Sequence, residues 1–125
     1  MPAIFTTICE RMQWDHDGES AVVPLPAGRE QRVHCAVAIE GDDEVMRIHT
    51  VLGSVQALNE TRMRAALAMN FRLRHGAFAI DGGRLVMVDT FLLRDADEDE
   101  VRLSIEYIAA QADSYEKAIY GTDQY

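Results

Sequence analysis

Lysine is nearly absent from this chain of 125 residues: Lys117 is the only one, and arginine supplies the other eleven basic side chains. Twelve basic against twenty-one acidic residues leave a formal net charge of −9, which repels phosphate backbones and anionic headgroups at long range. Nucleic acid and membranes are therefore not expected partners. A small acidic ligand stays compatible with the chain, because guanidinium groups clustered locally still bind carboxylate and phosphate. Cysteine is scarce too. Cys9 and Cys35 form no metal or redox spacing, so they read as reduced, buried small hydrophobes of a cytoplasmic protein. No stretch reaches the roughly 18 apolar residues that crossing a bilayer takes, and residues 1–13 show no basic leader or signal core. Repeats, low-complexity tracts and long linkers are missing as well. What remains is a single expected domain over 1–125, long enough to bury roughly two thirds of its unfolded surface without metal or disulfide staples.

Periodicity supplies the elements. Ile4, Phe5, Ile8, Cys9 and Met12 recur at helical spacing behind Pro2, which predicts a first helix. Residues 14–20, acidic and carrying Gly18, predict a loop, and the short β-branched run 21–25, stopped by Pro24 and Pro26, predicts an edge strand. Residues 31–40 alternate, with Val33, Cys35, Val37 and Ile39 on one face and Arg32, His34, Ala36, Ala38 and Glu40 on the other. After the turn residues 41–43, residues 45–52 alternate again, which completes a hairpin. Asn59 is a candidate N-cap for a helix with Met63, Ala66, Leu67 and Phe71 on one stripe, ending at Gly76 after Arg72, Arg74 and His75. Two apolar runs, 77–80 and 84–93, flank Asp81-Gly82-Gly83 as a second hairpin. The longest helix, 96–117, opens on Asp97, Glu98, Asp99 and Glu100, charges that suit a helix N-terminus. The expectation is an α+β fold of order α-βββ-α-ββ-α, with a five-stranded antiparallel sheet packed against three helices.

The strand 84–93 is apolar on both sides. Leu85, Met87, Phe91 and Leu93 point one way, and Val86, Val88 and Leu92 the other, where Ala36 and Ala38 are expected to join them. A second apolar sheet face on a chain of this size marks a protein-binding or self-association surface. Leu103 and Tyr107, one turn apart on the last helix, lie off its main stripe and are expected to extend its apolar width into a second protein-binding contact. Arg32, His34, Arg47 and His49 share the same second face and form a candidate anion site.

Other chemistry is not favoured. Asp95, Asp97, Asp99 and Glu106 occupy calcium-loop positions, yet Glu100 stands where such a loop turns on glycine. His34 and Cys35 are adjacent on a strand, so they face opposite ways and cannot act together. No metal site, cofactor or catalytic set is expected.

Residues from Met69-Asn70-Phe71 through His75-Gly76-Ala77 to Gly82-Gly83-Arg84-Leu85 resemble the helix end, glycine and hairpin of YbjN-type domains, the bacterial sensory transduction regulators. The acidic helix start at 95–100 and Ala109-Ala110-Gln111-Ala112-Asp113 continue in that style, and His49-Thr50-Val51-Leu52-Gly53 is similar to a strand end of the Tir chaperones. Both belong to the type III secretion chaperone-like group, and the likeness runs from Arg32 onward. It implies a curved antiparallel sheet with helices, often paired into homodimers, that holds other proteins in extended form and performs no chemistry. The expected function is thus a non-enzymatic, chaperone-like or regulatory module that binds a client protein, as a homodimer. The alternative is a ligand-sensing domain that holds an acidic small molecule on its Arg/His face.

Overall fold

A computed structural model describes residues 2–120. Helix α1 (Ala3–Met12) follows Pro2 and buries Phe5, Ile8 and Cys9; Gln13, left-handed at φ 59°, closes it. Six strands follow the course of the chain: β1 (Asp15–His16), β2 (Ser20–Pro24), β3 (Glu30–Glu40), β4 (Asp43–Ser54), and, after helix α2 (Glu60–Met69), β5 (Ala77–Asp81) and β6 (Arg84–Leu92). Helix α3 (Glu98–Tyr120) ends the described chain. The strands form one sheet in the order β1-β2-β3-β4-β6-β5, antiparallel at every pairing. The α+β class and the order of the larger elements match the sequence expectation, with one strand more. The extra strand is β1, two residues inside the expected loop, pairing Asp15 with Val22 and His16 with Ala21. A two-residue strand leaves no periodicity to read.

Alternation sorts the sheet into two faces. Cys35 pairs with Ile48, Thr50 with Met87, and Met87 with Phe78, so these share the face on which α1 and α3 lie. There Val101, Ile105, Ile108 and Ala112 of α3 and Phe5 and Ile8 of α1 complete the core, all essentially inaccessible. Three polar side chains buried on this face, Gln31, Thr50 and Ser104, are hydrogen-bonded. Gln31 Nε2 donates to Thr50 Oγ1 at 2.7 Å, Thr50 Oγ1 donates to the Arg32 carbonyl at 2.7 Å, and Ser104 Oγ donates to Asp89 Oδ2 at 2.6 Å, as burial of polar groups requires. A bulge in β4 between Val51 and Gly53 brings the chain against Tyr120. A Cβ on Gly53 would stand 2.6 Å from the tyrosine ring, whose hydroxyl donates to the Ser54 carbonyl at 2.9 Å.

Helix α2 is a correction to the expected boundaries. Asn59 caps it as foreseen, accepting the Arg62 N–H at 2.8 Å, but the helix stops at Met69 rather than running to Gly76. Asn70 Oδ1 accepts the Phe78 N–H at 2.6 Å, and Asn70 Nδ2 reaches the Phe78 carbonyl at 3.3 Å. The side-chain amide acts as one residue of a neighbouring strand, and the chain turns to let it do so. Tyr107 Oη accepts the Arg74 N–H at 3.2 Å and holds the far side of the turn. Leu67 and Phe71, expected on a buried stripe, are 67% and 93% exposed. The two interactions, Asn70 with Phe78 and Tyr107 with Arg74, join residues 8 and 33 positions apart, beyond the spacing of a helical turn, so helical periodicity does not foretell them.

Candidate functional site

The face of the sheet opposite α1 and α3 carries the residues singled out from sequence. Register places Ala38, Val45 and Leu92 side by side across it, then Ala36, Arg47 and Thr90, then Ser20, His34, His49, Val88 and Ala77, and then Val51, Val86 and Ala79. Val45 and Val86 are buried, at 4% and 2% exposure, yet neither belongs to the core under the helices. Their cover is the side chains of their neighbours on the same face. Val88 and Leu92 are half-buried, and Ala36 and Ala38 are exposed. Five of the seven residues assigned to protein binding are therefore brought together: Ala36, Ala38, Val86, Val88 and Leu92. Of these Val86 is sealed between Val51 and Ala79, so it forms floor rather than contact surface.

Leu103 and Tyr107 do not join them. They lie on α3, on the other side of the sheet, so any contact they make is separate from the sheet face. Tyr107 is committed to the turn after α2: its hydroxyl bonds Arg74, the Arg74 guanidinium lies 5.3 Å from the ring centroid, and His75 packs edge-on at 5.4 Å. Leu103 stays about half exposed beside them.

The charged residues of the open face are also regrouped. His34 and His49 stack, with ring centroids 4.9 Å apart and planes inclined by 20°. Burial lowers the pKa of both below the ordinary imidazole value; the nearby positive charges, Arg32 and Arg84 on His34 and His34 itself on His49, push the same way. Both effects favour the uncharged imidazole. Arg32 donates through Nη1 to Ser20 Oγ at 2.7 Å, and that hydroxyl also contacts the Asp17 carboxylate, which feels the Arg32 charge. Arg47 is different: it forms an ion pair with Glu40, so the four-residue site expected from sequence loses one member. Arg84, which periodicity had not singled out, takes its place from the β5–β6 turn, loosely associated with Asp81 at 3.9 Å. Only the sheet order, with β6 rather than β5 beside β4, brings it close.

A second apolar site lies at the other end of the sheet and was not foreseen. A groove of about 440 Å³ between α2, β5 and α3 is lined by Ala65, Ala66, Met69, Phe78, Tyr115 and Ile119, with Arg62 and Arg72 also in its wall. That volume falls in the range of ligand pockets. Leu67 of α2, Phe71 in the turn just after it and the β5 residue Ile80, 58% exposed, are large apolar side chains nearby in the chain. The short strand 77–80 and the exposed face of α2 gave no sign of this, because the groove forms between segments far apart in sequence.

Neither thiol is poised for chemistry. Burial pushes Cys9 up to about 11 and Cys35 up to about 12, so both stay protonated and unreactive. Asp97, one of the would-be calcium-loop carboxylates, instead caps α3 by accepting the Glu100 N–H at 3.0 Å. Among the described residues no three His, Cys, Asp or Glu side chains cluster as a metal site would need, and no helix is long and apolar enough to cross a membrane.

With this geometry in hand, comparison with known proteins is decisive for the family. The CesT_Tir_1 model of type III secretion chaperones matches residues 11–121. The chain belongs to that family. Three similar solved structures carry the same fold. The heterodimeric ExoU-SpcU complex from the type III secretion system of Pseudomonas aeruginosa superposes with a TM-score of 0.63 at 18% identity, over 93% of this chain and 98% of that one. The ExsC-ExsE complex gives 0.60 at 12%, over 95% and 97%. The HopA1-SchA chaperone-effector complex gives 0.55 at 6%, over 95% and 94%. At such identities the likeness is one of fold. Comparison with curated sequences gave no match. The family reached is the Tir chaperone group, which the sequence reading gave as the wider group around the YbjN-type domains it named first, and its model extends to Arg11, well before the Arg32 at which the resemblance began.

Proposed function

We propose that this chain is a non-enzymatic type III secretion chaperone, a single cytoplasmic domain that holds a segment of a client protein on its uncovered sheet face and works as a homodimer. The observation that carries the reading is an apolar face that no helix covers among the described residues, in a family member whose structural neighbours include a chaperone-effector complex. Val88, Leu92, Ala36 and Ala38 are the contact residues, with Val45 and Val86 as floor.

Dimerisation is assigned to the opposite end of the sheet, where Leu67, Phe71 and Ile80 expose apolar area that a soluble monomer of −9 charge has no reason to keep. Strand-to-strand continuation is disfavoured there, because Asn70 occupies the free edge of β5 at Phe78. Side-chain packing is the expected mode, with a total of roughly 1,200–2,000 Å² buried in a stable dimer.

The test is light scattering combined with affinity capture from native lysate. The wild type should show twice the 14.0 kDa chain mass and retain a specific co-purifying protein. Phe71→Asp with Ile80→Asp should be folded and monomeric, and Val88→Asp with Leu92→Asp should lose the client while remaining dimeric. A monomeric wild type with an empty capture refutes the reading.

A second reading, a sensor for an acidic small molecule on Arg32, His34, Arg47 and His49, draws on the stacked histidines. It is weakened by the Arg47–Glu40 pair. It requires saturable heat on titration with a free dicarboxylate, weakening with salt.

A further inference from the structure

Two of the chain's four histidines meet on the open sheet face. His34 and His49 are direct cross-strand partners, with ring centroids 4.9 Å apart and planes inclined by 20°. Ser20 on β2 and Val88 on β6 flank them in the same row. Both histidines are half-buried, and neither imidazole makes a hydrogen bond among the described residues. Burial first, and nearby positive charge second, lowers both pKa values and favours the form with a free nitrogen lone pair. The charged groups of this face balance one another. Arg47 pairs with Glu40, Arg84 with Asp81, and Arg32 shares the Ser20 hydroxyl with Asp17. Asp15 and Glu30 add carboxylates at the β1–β2 edge of the same face. No local excess of positive charge therefore opposes a cation, and a chain of net charge −9 attracts one at long range.

We propose that His34 and His49 form a chelating pair for one divalent cation of the zinc, nickel or copper(II) class, with its other coordination positions open. The proposal stands on this pair alone and is independent of the chaperone reading. Cations of that class bind neutral imidazole nitrogen at about 2.0–2.1 Å, so two nitrogens sharing one of them lie about 3 Å apart. Rings with centroids 4.9 Å apart reach that separation by tilting their edges together, and no hydrogen bond among the described residues holds them back. Magnesium and calcium are disfavoured by donor type, because they take oxygen ligands. The carboxylate of Asp17 is committed to its own turn, accepting the N–H groups of Glu19 at 2.9 Å and Ser20 at 2.8 Å. Once one imidazole has bound, the second binds intramolecularly, so the pair exceeds a lone surface histidine by far more than twofold. Among the described residues no three His, Cys, Asp or Glu side chains form a complete set. The site is therefore an open one, in which water or a donor from whatever lies over the face fills the remaining positions.

The experiment titrates zinc chloride, and separately nickel chloride, into the intact reduced chain at neutral pH in a buffer that does not chelate, followed by calorimetry and proton NMR. Expected is saturable heat at one cation per chain. Paramagnetic nickel should broaden the ring-proton signals of His34 and His49 together, ahead of those of His16 and His75. His34→Gln and His49→Gln should each weaken binding about a hundredfold, and the double variant should be little worse than either, because losing one arm already ends chelation. His75→Gln should bind as the wild type does. Absence of saturable heat overturns the proposal, and so does binding that survives in the double variant. Single variants that each remove half the stoichiometry also overturn it, since they mean two independent histidines. Should circular dichroism show that a Gln variant fails to fold, broadening in the wild type decides: His34 and His49 as a pair supports the site, and His16 or His75 first overturns it.

Discussion

Gly76 sets where the edge strand begins, and substituting it tests the placement of β5 and of the groove behind it. The residue has φ +70°, and a Cβ there would stand 2.7 Å from the Val88 carbonyl oxygen and 3.2 Å from Ile108 Cγ2. Gly76→Ala thus meets two costs. Holding alanine left-handed costs about 1 kcal/mol, and moving β6 backbone or Ile108 aside costs about 1–3 kcal/mol more. Backbone cannot yield as a flexible side chain would, so about 2–4 kcal/mol is expected, a large share of the roughly 5–15 kcal/mol that stabilises a domain. With an unfolding entropy of about 2.1 cal/mol/K per residue, the chain's 125 residues give about 0.26 kcal/mol/K, and Tm falls by about 8–15 °C.

The control is Gly82→Ala. Gly82 also has positive φ, +56°, but a Cβ there meets nothing within 4 Å, so only the conformational cost of about 1 kcal/mol applies and Tm falls by about 4 °C. Calorimetry or thermal circular dichroism on the two variants measures the difference directly. Equal losses would mean that Gly76 does not abut β6. The Asn70–Phe78 clasp and the groove lined by Phe78 would then be misplaced with it.

Other consequences are open to measurement. Ser104→Ala removes the buried hydroxyl that donates to Asp89, and urea unfolding should register a loss of about 1–3 kcal/mol; no loss would mean that water serves Asp89 equally well. Asn70→Ala deletes both bonds to Phe78, should cost about 1–2 kcal/mol, and should raise concentration-dependent association by baring the β5 edge. The pKa of His34 and His49 is lowered in the fold, by burial first. Their contribution is therefore present above the unfolded value near 6.5 and is lost as pH falls through the lowered folded values. Urea midpoints should drop on going from about pH 7.5 to 5.5, and His34→Gln with His49→Gln should flatten that slope. Cys9 and Cys35, held at about 11 and about 12 by burial, should resist a thiol reagent at about pH 8 until the chain unfolds.

What could be read from residue order and what could not divide along a physical line. The alternation in 31–40 and 45–52 placed His34 and His49 on one face because side-chain direction in a strand has period two, and the observed register pairs them. Asn59 and Asp97 act at helix starts because a short polar side chain satisfies a free N–H locally. Neither inference needs knowledge of a distant residue. The premature end of α2 does, since it depends on Asn70 finding Phe78 and on Tyr107 finding Arg74. So does Arg84, which reaches the histidines only because β6 and not β5 lies beside β4. The candidate site was legible as a face but not as a membership list: its apolar floor and histidine pair follow from alternation, while the replacement of Arg47 by Arg84 follows from pairing order.

That division also explains why the two apolar surfaces differ in character. The open face is built from regular strands, so its residues are set by register and its shape is rigid; a partner must adapt to it, most simply as an extended chain. The α2–β5 groove is built from a helix with only Ala66 buried and a five-residue edge strand paired to β6 on one side, its free edge held only at Phe78 by Asn70. Few buried contacts and an edge position mark a region that opens at low free-energy cost. Substitutions in the groove should therefore alter association and local hydrogen exchange together. Substitutions on the open face should alter client affinity with exchange in β3, β4 and β6 unchanged. Hydrogen exchange on Phe71→Asp and Val88→Asp separates the two, and equal loosening of β4 and β6 by both would show that the sheet is not the rigid platform on which client selection depends.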